Sequence, residues 1–183
     1  MPKWKQLRTK ITLVGDTAVG KTSLIRRFVL DAFDDSYSMT LGTKISKKVV
    51  EAGFPRYDMR VQVDMGIWDI MGQYALRDLL KEAYFTGSQG ILAVADVTRP
   101  PSVDGLRPWI GSVTEVTGPL PIVIVGNKAD MGAKDQVTRQ GVEALAKELE
   151  SDFFLMSAKT GENVERAFKR LGWLVARSQL GLV

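Results

Sequence analysis

The chain has 183 residues, with 25 Lys and Arg against 21 Asp and Glu, a formal net charge of +4. Its 45% hydrophobic and 25% charged residues are ordinary for a soluble globular chain, and no apolar run approaches the ~18 residues of a membrane-spanning helix. Cysteine and histidine are absent, which excludes disulfides, thiolate nucleophiles, imidazole bases and histidine-held metals; a metal here needs hard oxygen ligands, which points to Mg²⁺.

The start, Met1 to Lys10, is basic with Trp4 among lysines. It lacks the apolar core of a secretory signal. Residues 1–8 read as a solvated, frayed extension. The mild positive charge does not mark a nucleic-acid-binding surface.

Ile11-Thr12-Leu13-Val14 is apolar and β-branched, as a buried strand should be. Gly15-Asp16-Thr17-Ala18-Val19-Gly20-Lys21-Thr22 follows, in the pattern G-x-x-x-x-G-K-[ST]. Leu24, Ile25, Phe28 and Val29 then trace the stripe of a helix. Strand, glycine loop and helix form the context in which successive N–H groups make an anion nest at a helix start. Ser23 belongs to that same turn. Lys21 should reach the outer phosphates, and the Thr22 hydroxyl suits Mg²⁺.

Asp31 to Gly42 is polar, with Phe33 and Tyr37 embedded, and reads as a loop. Thr43 to Glu51 carries Lys44, Lys47 and Lys48, which suit a sheet edge. Ala52 to Arg56 is turn chemistry. Met59, Val61, Val63, Met65 and Ile67 alternate with polar residues, so this strand has one solvated face and pairs antiparallel with the one before. Leu76, Leu79, Leu80 and Ala83 predict a short helix. Ile91–Ala95 and Ile122–Val125 are unbroken apolar runs, the mark of strands covered on both faces. Leu106, Trp109, Ile110, Val113 and Val116 lie between them at helical spacing. Val142, Leu145, Ala146 and Leu149 predict another helix, Phe153–Met156 a last strand, and Val164 to Val175 the closing helix.

The expected fold is one doubly wound α/β domain over residues 1–183 with a short tail at 178–183. It has six strands, five parallel and one antiparallel at an edge, and five helices.

Four motifs stand at the ends of those strands: Gly15–Thr22, Trp68-Asp69-Ile70-Met71-Gly72-Gln73, Asn127-Lys128-Ala129-Asp130 and Ser157-Ala158-Lys159. In order and spacing they resemble the Ras-like small GTPases, a branch of the P-loop NTPase fold, over nearly the whole chain. The Thr40-x-Gly42 form and Trp68 lean towards the Rab-like branch. Taken alone, Asp69 also reads as a helix N-cap, Phe33 reads equally as ordinary loop packing, and Gln73 reads better as an exposed helix-start residue.

The resemblance implies a guanine nucleotide bound with Mg²⁺. The Asp130 carboxylate matches the two adjacent N–H donors of guanine and rejects adenine. It further implies that Asn127 ties its loop to the phosphate loop, that Lys128 packs on the purine, and that Ala158 N–H meets guanine O6 with Ser157 and Lys159 beside it. Phe33 would sit against the base. Thr40 would be the threonine of the first switch and, with Thr22 and Asp69, serve the metal. Gly72 N–H would meet the γ-phosphate and Gln73 would orient the attacking water.

The activity implied is slow GTP hydrolysis, because no arginine lies between Asp31 and Leu41. The chain would be a molecular switch served by activating, exchange-factor and effector proteins. The alternative is a GTP-dependent scaffold that scarcely hydrolyses. Thr17 and Ala18 occupy positions that are often glycine in the family and bear on that alternative. The interval from Thr40 to Asp69 is longer than usual. No cysteine is available for a prenyl anchor and Pro2 follows Met1, so no lipid anchor is expected. A cytoplasmic monomer of prokaryotic or archaeal type, or a chain with its tail removed, is the expectation.

Overall fold

The computed structural model describes residues 2–35, 42–131 and 136–182. Among these, the order is β1 (Lys3–Val14), α1 (Lys21–Leu30), β2 (Thr43–Phe54), β3 (Met59–Ile70), α2 (Tyr74–Phe85), β4 (Gly90–Asp96), α3 (Leu106–Thr117), β5 (Ile122–Asn127), α4 (Gln136–Glu148), β6 (Asp152–Leu155) and α5 (Val164–Gln179). A single helical turn, Pro101–Asp104, leads into α3. The six strands form one sheet in the order β2-β3-β1-β4-β5-β6. Only β2 runs antiparallel, at the edge where its lysines lie.

Burial follows the strand patterns. All of β4 is buried, as its unbroken apolar run requires. In β3, Val61, Val63, Met65 and Ile67 are fully buried on one face. That face and β2 pack against α1 and α5, where Phe28 and Phe168 stack at 4.2 Å. The opposite face of β4 and β5 packs against α3 and α4, with Trp109, Val113 and Leu145 at its centre. Trp173 of α5 donates from its indole to Gly53 O and stacks on Phe54, which fastens the closing helix to the hairpin. No helix among the described residues is long and apolar enough to cross a membrane.

Three expectations change. The basic start is not frayed: Lys3 to Val14 is one strand, in parallel register with β3 from Lys3 opposite Met59. Most of its first side chains are exposed, with Leu7 packed against the core and Thr9 buried, and its backbone is paired with β3. The hairpin turn is displaced, with Gly53 and Phe54 inside β2 and the chain reversing through Pro55–Tyr57 and Asp58. In α2, Leu79 is 76% exposed and Ala83 is exposed, whereas Phe85 is buried with Tyr84 packed beside that core. Of the expected stripe Leu80 is half-buried, and α2 packs against α3.

Phe168→Ala should lower stability by about 3–5 kcal/mol, because a fully buried aromatic stack is replaced by a cavity. Urea unfolding should show the loss as a lower midpoint at unchanged slope.

Candidate functional site

The carboxyl ends of β1, β3, β4, β5 and β6 converge, and a cavity of about 470 Å³ opens there. Its walls include Thr17, Ala18, Gly20, Lys21, Thr22 and Ser23 from the loop after β1 and the start of α1. Across from them stand Asn127, Lys128, Asp130, Ala158 and Lys159, with Phe33 and Gly72 completing the rim. Thr17 and Lys159, 142 positions apart in the chain, line the same cavity because parallel strands bring their ends to one side.

The loop after β1 is shaped by its two glycines. Gly15 takes φ 140°, and a Cβ there would fall 2.1 Å from Val94 O. Gly20 takes φ 100° at the start of α1. Ala18 also holds a left-handed conformation, φ 64°, where a methyl-bearing residue is strained. Gly15 and Val19 hold the loop without lining the cavity. The Asp16 carboxylate is engaged elsewhere, accepting from the Trp109 indole at 2.9 Å. Lys21 donates to Gly15 O at 2.6 Å and Asp16 O at 3.0 Å. Burial pushes its ammonium down to about 8, against the charges of Asp69 and Asp16, with Arg99 lowering it further.

At the end of β3, Asp69 is buried in the strand and α2 begins only at Tyr74, so Asp69 is not a helix cap. Thr22 Oγ1 donates to Asp69 Oδ2, and Asp69 Oδ1 is buried without a hydrogen-bond partner. Burial pushes this carboxyl up, opposed by the Thr22 hydrogen bond and the Lys21 charge. A hydroxyl beside an under-satisfied buried carboxylate is a hard-oxygen pair that fits Mg²⁺. Gly72 lies against the loop, where Thr17 Oγ1 donates to its carbonyl at 2.9 Å and a Cβ would come 2.6 Å from Thr17 N. Gln73 takes the N-cap position of α2. Thr40 and Tyr37 lie outside the described residues.

On the other side, Asn127 Nδ2 donates to Val19 O at 2.9 Å and so joins the two loops. Ala158 N–H, expected at guanine O6, donates here to Asn127 Oδ1 at 3.2 Å. Lys128 donates to Ala18 O at 3.0 Å and pairs with Asp96 at 2.6 Å. Ser157 Oγ donates to Asp130 Oδ1 at 2.6 Å, which sets the direction of that carboxylate. Lys159 faces Asp35 at 3.8 Å.

Sequence reasoning missed Arg27. From α1 it donates to Ala158 O at 2.8 Å and Lys159 O at 2.6 Å, across 131 and 132 positions of chain. No motif announces it, because its acceptors are backbone carbonyls. Arg27→Ala should loosen the Ser157–Lys159 loop and speed release of a bound guanine nucleotide by about tenfold, the loss of charge-assisted hydrogen bonds. Dissociation of a fluorescent GDP from the purified variant checks this.

The Ras family model matches residues 10–176. Ras-related protein Rab-13 of Rattus norvegicus is 37% identical over 163 residues, spanning 88% of this chain and 77% of its own length. Ras-related protein Rab-8B of Homo sapiens is 36% identical over 160 residues, spanning 87% and 74%. Ras-related protein Rab-8A of Bos taurus is 36% identical over 163 residues, spanning 88% and 75%. The chain therefore belongs to the Ras family of small GTPases, on its Rab-like branch.

Proposed function

We propose that this GTPase binds GTP and GDP with Mg²⁺, hydrolyses GTP slowly, and acts as a partner-regulated switch within one nucleotide-binding domain. The observation that carries this reading is the single cavity with Lys21 and Thr22 at one end and Asn127, Lys128 and Asp130 at the other. A polyanion at the first end compensates a lysine whose charge burial disfavours. A purine at the second meets a carboxylate already oriented by Ser157.

Thr22 and Asp69 would hold the metal, with Thr40 as the further ligand expected from the sequence. When bound, Mg²⁺ neutralises charge on the phosphate oxygens. Gly72 stands against the loop beside Thr17, a position that favours its N–H meeting the terminal phosphate. Gln73 follows it and orients the attacking water; an amide is a poor base, so it positions rather than abstracts. Ras-type enzymes without an arginine on the terminal phosphate turn over at about 10⁻⁴ s⁻¹, and an arginine from a partner raises this by roughly 10³–10⁵. Thr40 and Gly72 hold the two switch segments while the γ-phosphate is present and release them after hydrolysis, which is what activating, exchange-factor and effector proteins would read.

Single-turnover phosphate release from GTP-loaded protein tests the hydrolytic role. Gln73→Leu should slow release on the order of 10²-fold, as loss of water positioning does. Release that is undetectable over many hours, or independent of Gln73, would leave a GTP-dependent scaffold instead. Asp130→Asn tests the base reading. GTP affinity should fall at least about 10²-fold while xanthosine triphosphate gains, because the new amide donates to the xanthine C2 carbonyl. Unchanged GTP affinity would remove Asp130 from the base site.

A further inference from the structure

Asp96, at the end of β4, is fully buried. Burial disfavours its charge, but hydrogen bonds from Lys128 and Thr98 outweigh that and hold the carboxyl below the usual carboxylate range. Its Oδ1 accepts from Thr98 N at 2.9 Å and Thr98 Oγ1 at 2.6 Å. Its Oδ2 pairs with two cations, Lys128 at 2.6 Å and Arg99 at 3.1 Å.

Each cation then reaches a carbonyl of the phosphate loop. Arg99 Nη2 donates to Thr17 O at 2.9 Å, and Lys128 Nζ donates to Ala18 O at 3.0 Å. The two carbonyls are consecutive. None of the described peptide bonds is cis, and in a trans peptide the C=O and the following N–H point in opposite directions. Pinning Thr17 O therefore fixes the direction of Ala18 N–H, and pinning Ala18 O fixes that of Val19 N–H.

The restraint falls where the loop needs one. Ala18 sits at φ 64°, a region that residues with a Cβ rarely hold unless the surroundings impose it. A glycine there would meet no such resistance.

We propose that Arg99 is a positioning residue of the phosphate loop: anchored on Asp96, it holds the Thr17–Ala18 peptide so that Ala18 N–H is presented to the nucleotide phosphates, and it offsets the strain of alanine at that position. This rests on the cavity being the guanine-nucleotide site. Arg99 supplies geometry from within the chain, distinct from an arginine brought to the terminal phosphate by a partner.

The test is GDP dissociation, in Mg²⁺ buffer, from full-length protein loaded with fluorescent GDP and chased with unlabelled GDP. Arg99→Ala is made both in the parent and in an Ala18→Gly background. The side chain is 45% exposed, so the variant should fold; Arg99→Gln repeats the test if alanine lowers the thermal midpoint. In the parent, release should accelerate about tenfold, the loss of one charge-assisted hydrogen bond. In the glycine background the factor should shrink, because glycine holds the loop conformation without the restraint. No acceleration in the parent, or a factor undiminished by glycine, would overturn the proposal. A parent that retains no guanine nucleotide would overturn the functional reading itself, and is seen before any variant is compared.

Discussion

Six consecutive carbonyl oxygens of the phosphate loop each accept a hydrogen bond: Gly15 and Asp16 from Lys21, Thr17 from Arg99, Ala18 from Lys128, Val19 from Asn127, and Gly20 from Leu24 N. The rest of the site depends on this arrangement. A loop that offers N–H groups to an anion must turn carbonyls away from it, and those carbonyls need donors of their own. Here five of the six donors are side chains of Lys21, Arg99, Lys128 and Asn127, with Lys21 serving twice. Three of those four residues come from the ends of β4 and β5, which the parallel sheet sets beside the end of β1. The sheet topology therefore sets where the carbonyls of this loop find their donors.

Charge follows the same logic. Lys21 and Asp69 are both buried, and burial alone disfavours the charged form of each. They sit near one another, and each lowers the cost of the other's charge. Asp96 is the third buried ion among the described residues, and it is the best provided, with two cations and two Thr98 donors. A buried charge so fully paired is tolerated, and losing one partner leaves it partly uncompensated in a medium of low dielectric. The Asp69 Oδ1 atom, buried and without a hydrogen-bond partner, is the place where that provision is incomplete.

Much of the site was legible because its chemistry is local. Gly15 and Gly20 stand at a fixed spacing in one loop, Thr22 follows Lys21 directly, and Asn127 to Asp130 are contiguous. The alternation in β3 and the lysines of β2 foretold a hairpin with its edge strand outermost. Arg27 and Arg99 were not legible. Each donates to backbone carbonyls distant in sequence, and a carbonyl carries no residue identity that a motif could record. The asymmetry of α2 was also hidden, since a periodic apolar stripe does not say which of its residues are buried.

By itself, the sequence determined the element types, the antiparallel edge and the glycine loop that opens α1. These follow from side-chain period, glycine conformation and donor–acceptor chemistry, all of which act over a few residues. Only the tertiary structure decided that Lys3 to Lys10 is a strand, since most of its side chains are exposed while its backbone is committed by register with β3. It also decided that Asp96 gathers Arg99 and Lys128 onto Thr17 and Ala18. Those partners are chosen by where strands end in space, and no local pattern encodes that distance.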